Sequence, residues 1–173
     1  MMREHRRLGL ANGWNYAALA AEAPLGVSLL LSGHLRKGVR ALKSLIDRCE
    51  SEYQYRGYAD WTRVFLAEFY LALLTGARKP LRVVMRNLFF LANAKWGAAR
   101  KAEALLRKAA QNPQFSERGV FRARIDFNLG LLQQALSRTD LARAHLDRAR
   151  EIAISQDAPA IIEKVDTVIA SLL

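Results

Sequence analysis

Arg78, Arg82 and Arg86 recur every four residues, a spacing that stacks them along one face of a helix. Arg100 with Arg107, and Lys101 with Lys108, recur every seven. Together with Lys79 and Lys95 these form a basic run over 78–108 that Glu103 alone opposes. Val83, Val84, Leu88, Phe89, Leu91 and Trp96 supply apolar bulk among the cations. Three arrangements fit this pattern. The apolar residues pack inward and leave the cations in water. The cations contact nucleic-acid phosphates, with a steep salt dependence. Or an amphipathic helix lies on an anionic membrane. No known nucleic-acid fold motif accompanies the cations, and the aromatics are not spaced as a stacking platform. The candidate anion-binding residues are Arg78, Lys79, Arg82, Arg86, Arg100, Lys101, Arg107 and Lys108.

Other chemistry finds little support. His5, His34 and His145 lie far apart, with no HxxxH or CxxC pairing, so no metal site is expected. Cys49 falls on an apolar helical stripe and reads as a buried, inert thiol. The carboxylate pairs Glu50/Glu52 and Asp140/Asp147 fall on polar faces, where solvation is the default. Neither GxGxxG, GxxxxGK[ST] nor GxSxG occurs. The expectation is a protein that is not an enzyme, with no cofactor and no small-molecule substrate.

A chain of 173 residues suits one domain or a short array of repeats, large enough to need no metal or disulfide. The single cysteine fits a reducing compartment. The basic start, Met1 to Arg7, is not followed by the apolar stretch of a signal peptide. The apolar stretch 17–32 is interrupted by Glu22, Pro24 and Gly26 and makes a poor membrane span. These features predict a cytoplasmic protein. The net charge of +11 arises mainly in residues 61–116, where ten cations face two carboxylates, against nine and six in 1–60 and eight and eight in 117–173. A local positive field of that size favours anionic partners.

The periodicity is helical throughout, with no strand alternation. Helices are expected at about 14–22, ending before Pro24, and at about 25–32, turning at Gly33. The next covers about 35–54, with Leu35, Val39, Leu42, Ile46 and Cys49 on one face. Others follow at about 58–75, 80–95 and 98–111, with Gly97 ending or kinking the second of these. Two long helices at about 119–137 and 139–155 flank the polar turn 137–140. The last, about 158–172, carries Ile161, Ile162, Val165, Val168, Ile169 and Leu172 on one stripe and starts at Pro159. Residues 1–13 are expected to be loosely ordered and 14–173 to form the helical domain.

A degraded repeat runs through these helices. Leu25-Gly26 is followed by Gly33, Gly38 and Leu42, and Leu129-Gly130 by Ser137, Ala142 and Leu146, at the same offsets of seven, twelve and sixteen residues from the glycine. The two glycines are 104 residues apart, close to three periods of about 34. Small residues are expected where paired helices touch, at Gly130, Ala135, Ala142 and Ala149. With Leu129, Gly130, Ala142 and Ala149 at the small and apolar positions, the chain resembles tetratricopeptide repeat proteins. The wider layout is similar to the degenerate repeat region C-terminal to cyclase and ATPase modules in bacterial multidomain regulators. Residues 60–68, Lys79-Pro80-Leu81, Arg86-Asn87-Leu88 and Asn112-Pro113-Gln114-Phe115 carry that likeness.

The resemblance implies an all-α, right-handed α-solenoid of about three helix pairs with a C-terminal capping helix. It implies a non-catalytic interaction module that binds a protein partner or a neighbouring domain in a concave groove. Carried over residue by residue, the groove is lined by Trp61, Val64, Glu68, Leu71, Arg124, Phe127, Leu131 and Gln134. A clamp for acidic chaperone tails needs Lys, Asn and Arg at groove positions that here hold Ala23, Val27, Glu68, Phe127 and Leu131, which argues against such a ligand. The apolar ends of a short array make a homodimer the expected assembly. Nucleic acid or an anionic membrane is the alternative partner, through 78–108.

Overall fold

The computed structural model describes Glu4 and residues 15–51, 55–76, 80–113 and 119–172, with the backbone alone for 15–17. Apart from Glu4, the expected loose segment 1–13 lies outside these residues, as do His5, Glu52, Arg78, Lys79, Gln114 and Phe115.

Among the described residues every regular element is a helix. In chain order they are α1 (Asn15–Leu31), α2 (Leu35–Ser51), α3 (Arg56–Leu74), α4 (Leu81–Arg86), α5 (Leu88–Lys95), α6 (Ala98–Ala110), α7 (Val120–Ala135), α8 (Thr139–Ser155) and α9 (Pro159–Ala170). The stripe expected on α2 is buried in full, together with Gly38 and Leu45. Two boundaries differ from expectation. α1 runs through Pro24 rather than stopping before it. Pro24 is exposed, and Ala20, whose carbonyl loses its N–H donor, is only half-buried. The helix expected over 80–95 is interrupted at Asn87, where φ is −118°.

The chain forms two compact units, Met1–Leu66 with Arg78–Trp96, and Ala67–Ala77 with Gly97–Leu173. The first unit holds the α1–α2 hairpin, the start of α3, and α4–α5. Arg63, buried near the start of α3, pairs with Asp60 and with Glu50 of α2. Glu22 of α1 pairs with Arg48 of α2. The second unit is built on α7–α8, with α6 against α7 and α9 against α7 and α8. Ala123, Ile152 and Ala153 form one apolar cluster with Ile161 and Ile162 of α9. Leu146, Ala149 and Val165 form another, with Phe127, Val168, Ile169 and Leu172 around it.

The hairpins of the two units share a construction. A Cβ on Gly26 would stand 2.6 Å from Leu42 Cδ2, and one on Gly130 would stand 2.7 Å from Leu146 Cγ. Both leucines are fully buried, so each glycine is the place where the two helix axes come close. Ala142 and Ala149 are buried at the expected contact, whereas Ala135 is exposed at the end of α7. Both hairpins close on the same turn. At Gly33 (φ 79°) the N–H donates to Leu30 O at 3.1 Å, and His34 N–H donates to Leu29 O at 2.8 Å. At Ser137 (φ 57°) the corresponding bonds reach Gln134 O and Gln133 O, both at 2.9 Å. Asp157 (φ 48°) repeats the pattern between α8 and α9, with bonds to Ile154 O at 3.2 Å and from Ala158 to Ala153 O at 2.9 Å. This is the left-handed helix cap that satisfies the last carbonyls of one helix and launches the next.

The turn gives a direct test. A non-glycine residue in the left-handed region costs about 1–2 kcal/mol, and glycine gives back part of that through its freer unfolded chain. Ser137→Gly is expected to raise unfolding stability by about 0.5–1 kcal/mol. Gly33→Ala is expected to lower it by about 2 kcal/mol or more, because its Cβ would also meet Val83 Cγ2 at 2.9 Å. Urea unfolding of the three proteins measures both shifts.

Candidate functional site

The helical pair α4–α5 meets the turn of the first hairpin through Val83, Arg86 and Asn87. Val83, Val84, Phe90 and Leu91 are half-buried, and Asn87 and Ala94 are buried. Val83 sits where only a glycine leaves room, over Gly33. Asn87 Nδ2 donates to Gly33 O at 3.0 Å and to Val83 O at 2.9 Å. The interruption between α4 and α5 is thus the point at which they are tied to the α1–α2 turn. The backbone bonds of both helices end at it, with Asn87 N–H bonded to Val83 O at 3.2 Å and Leu91 N–H to Asn87 O at 2.8 Å. Arg86 also hydrogen-bonds the His34 ring. That guanidinium, with smaller effects of lost hydration and Lys37, holds His34 below the ordinary imidazole value.

The outer side of α4–α5 is apolar and basic. Phe89 is 85% exposed, Trp96 82%, Leu81 76%, Met85 66% and Leu88 51%. Arg82, Arg86 and Lys95 are exposed as well, and no carboxylate occurs between 80 and 96. The inward-packing arrangement therefore holds only for Val83, Val84 and Leu91, which are half-buried, while Leu88, Phe89 and Trp96 face solvent. The remaining candidate cations, Arg100, Lys101, Arg107 and Lys108, belong to α6 in the second unit. There Arg107 pairs with Glu103 at 2.8 Å, and the Lys101 ammonium lies 5.6 Å from the centre of the Tyr70 ring.

The expected groove residues are dispersed in role. Trp61 is exposed and stands 6.4 Å from Phe65, centre to centre. Val64 and Leu71 are buried and offer no side-chain surface to a partner, a correction to their assignment as groove lining. The reason is the position of α3: positions 64 and 71 fall on its packed side. Trp61 and Val64 belong to the first unit, and Glu68, Leu71, Arg124, Phe127, Leu131 and Gln134 to the second. Glu68 accepts from Arg124 Nε and Nη2 at 2.7 and 2.8 Å and from Asn128 Nδ2 at 3.1 Å. This forked pair ties α3 to α7. Phe127 packs on the α8–α9 cluster, and Gln134 donates to Ser171 Oγ at 3.1 Å. Leu131 is half-buried.

Asp126 is the residue that sequence reasoning passed over. Fully buried in α7, it accepts from Arg122 Nε at 2.9 Å and contacts His145 Nδ1 of α8 at 3.1 Å. Burial, the largest single influence, pushes its carboxyl up, but the bonds to His145 and Arg122 and the charges of Arg122 and Arg148 together hold it below the ordinary carboxylate value. The Arg122–Asp126 spacing of four residues was a legible signal; the partner His145 came only with the hairpin. Of the carboxylate pairs, Glu50 is paired with Arg63, and Asp140 and Asp147 are exposed, the latter bonded to Arg143. Cys49 is buried, and burial pushes its thiol up.

No protein-family model, curated protein or solved structure matches this chain. The fold defines the class: an all-α protein of sequence-adjacent, packed helices. Among the described residues no helix is long and apolar enough to cross a membrane.

Two substitutions test these assignments. Asn87→Ala removes the tie to the first hairpin and is expected to cost about 1–2 kcal/mol. In hydrogen exchange, the amides of α4–α5 should then lose protection while those of α8 keep theirs. Asp126→Asn is expected to cost about 1–3 kcal/mol near neutral pH. Because the native carboxyl lies below its unfolded value of about 3.9, its contribution is complete above that value and is lost as pH falls through the native one. The stability gap between wild type and Asp126→Asn should accordingly narrow from about pH 5 toward pH 3 in urea unfolding.

Proposed function

We propose that this chain is a non-catalytic cytoplasmic interaction module built on degenerate tetratricopeptide-like hairpins, and that it binds through the outer side of α4–α5. Five large apolar side chains exposed along one short helical pair and at its end carry this reading. A soluble protein seldom leaves such a patch open unless something binds there. The repeat reading is supported by the common build of the two hairpins, with Gly26 over Leu42 and Gly130 over Leu146, and with the same left-handed cap at Gly33 and Ser137. The cations beside the apolar side chains favour an anionic partner.

Groove binding is the second reading, and Trp61 is the observation that favours it, since an exposed tryptophan is a common anchor of interfaces. The Glu68–Arg124 pair speaks against it, because each charge is already spent on the other.

Retention of ligands by the immobilised full chain separates the two. Native protein, Leu81→Ser with Phe89→Ser, and Trp61→Ala with Arg124→Ala would be presented with soluble and membrane fractions of nuclease-treated lysate. Equal helicity of all three would first be established by circular dichroism. Retention is expected to fall only in the Leu81/Phe89 variant; a fall confined to the Trp61/Arg124 variant would overturn the assignment of the surface.

A further inference from the structure

We propose that the α4–α5 surface docks on an anionic lipid membrane, lying in the headgroup region without crossing the bilayer. The inference rests on the reading of that surface as the binding site and names its partner.

The arrangement of side chains around the two helices is the first argument. α4 and α5 are separate helices that meet at Asn87, so the faces are counted in each by itself. At about 100° per residue, Leu81 and Met85 share one arc of α4, Leu88 and Phe89 lie on one side of α5, and all four are exposed. Arg82 and Arg86 flank the apolar arc of α4, and Lys95 lies on the Leu88 side of α5. Trp96, just past the end of α5, is exposed as well. Val83, Asn87, Leu91 and Ala94 are buried or half-buried. Exposed apolar side chains with cations beside them are the pattern that sinks to the acyl boundary while its charged ends reach up to lipid phosphates. Trp96 has the amphipathic ring that favours the same depth.

The alternatives fit this surface less well. A second copy would set Arg82, Arg86 and Lys95 against their own equivalents, with no carboxylate between 80 and 96 to relieve the repulsion. Nucleic-acid phosphates would meet the cations but leave Leu81, Met85 and Leu88, which have no ring to stack on a base, against a polar backbone. Lipid satisfies both parts at once: anionic headgroups take the cations and the acyl boundary takes the apolar side chains. Each cation near an anionic leaflet is worth about 1 kcal/mol, so removing two weakens partitioning about 30-fold.

Co-sedimentation of the full chain with vesicles of phosphatidylglycerol and phosphatidylcholine tests the proposal, with pure phosphatidylcholine vesicles, duplex DNA and single-stranded RNA as parallel probes. Binding is expected to anionic vesicles, at least about 10-fold above phosphatidylcholine alone, and to weaken as salt rises. Arg82→Gln with Arg86→Gln should weaken it about 30-fold, and Leu81→Ser with Phe89→Ser should weaken it while keeping the fold. Tryptophan emission should shift to the blue with vesicles, and Trp96→Phe should remove the shift while co-sedimentation persists. Equal binding to both vesicle types, or binding of DNA or RNA without vesicles, overturns the membrane assignment. So does absence of vesicle binding when lysate retention still depends on Leu81 and Phe89, an outcome that leaves the surface itself as the site. If neither vesicles nor lysate ligands respond to those two residues, the membrane assignment and the surface fail together.

Discussion

Two helix contacts, Gly26 under Leu42 and Gly130 under Leu146, set the geometry on which the other features depend. Each leucine is fully buried, and each fills the space that a side chain on the facing glycine would need. Close approach of two helices maximises dispersion contact and leaves no room for adjustment. It also limits how the chain can return from one helix to the next, and the left-handed cap at Gly33 and at Ser137 is the turn that meets that limit. In the first unit the consequence travels further. The Gly33 carbonyl is the acceptor for Asn87, and the absence of a side chain at Gly33 makes the seat for Val83. The outward presentation of Leu81, Met85, Leu88 and Phe89 therefore follows from how α1 and α2 pack.

Charge is used differently in different parts of the molecule. Arg63, Arg122 and Arg124 are spent on carboxylates, with Asp60 and Asp126 out of water altogether. Buried pairs of this kind contribute little net stability against an apolar substitute, but they penalise any packing that separates the partners. In the first unit Glu50–Arg63 fixes the start of α3 on α2; in the second, the half-exposed Glu68–Arg124 pair ties the end of α3 to α7, and Asp126–His145 fixes α8 on α7. On α4–α5, in contrast, three cations stay at the surface among large apolar groups. An excess of positive charge there costs little in folding because solvent screens it, and it remains available to an outside partner.

Helical class, most boundaries and the two glycine-centred hairpins were legible because they depend on short-range regularities. The α2 stripe from Leu35 to Cys49 has a period of 3.6 and is buried as expected. Equal offsets from Gly26 and Gly130 identified both hairpins, since small residues at those spacings have a direct steric meaning. Pro24 misled because a proline's cost depends on whether water can reach the freed carbonyl, which is a property of the fold. Asn87 misled because its interruption is stabilised by Gly33, 54 residues away.

The candidate site was legible as composition and not as geometry. Arg82 and Arg86 were evident from spacing alone, whereas the exposure of Phe89 and Leu81 and the burial of Val64 and Leu71 were not. An apolar residue's type says that it gains by leaving water; it does not say which neighbour will cover it. By itself the sequence determined the helices, the two glycine contacts and the basic character of 78–108, because local sterics and charge are properties of the residues. Tertiary structure alone decided which carboxylates were buried, which cations were spent and which apolar face was left in solvent, because burial is shared between segments distant in the chain.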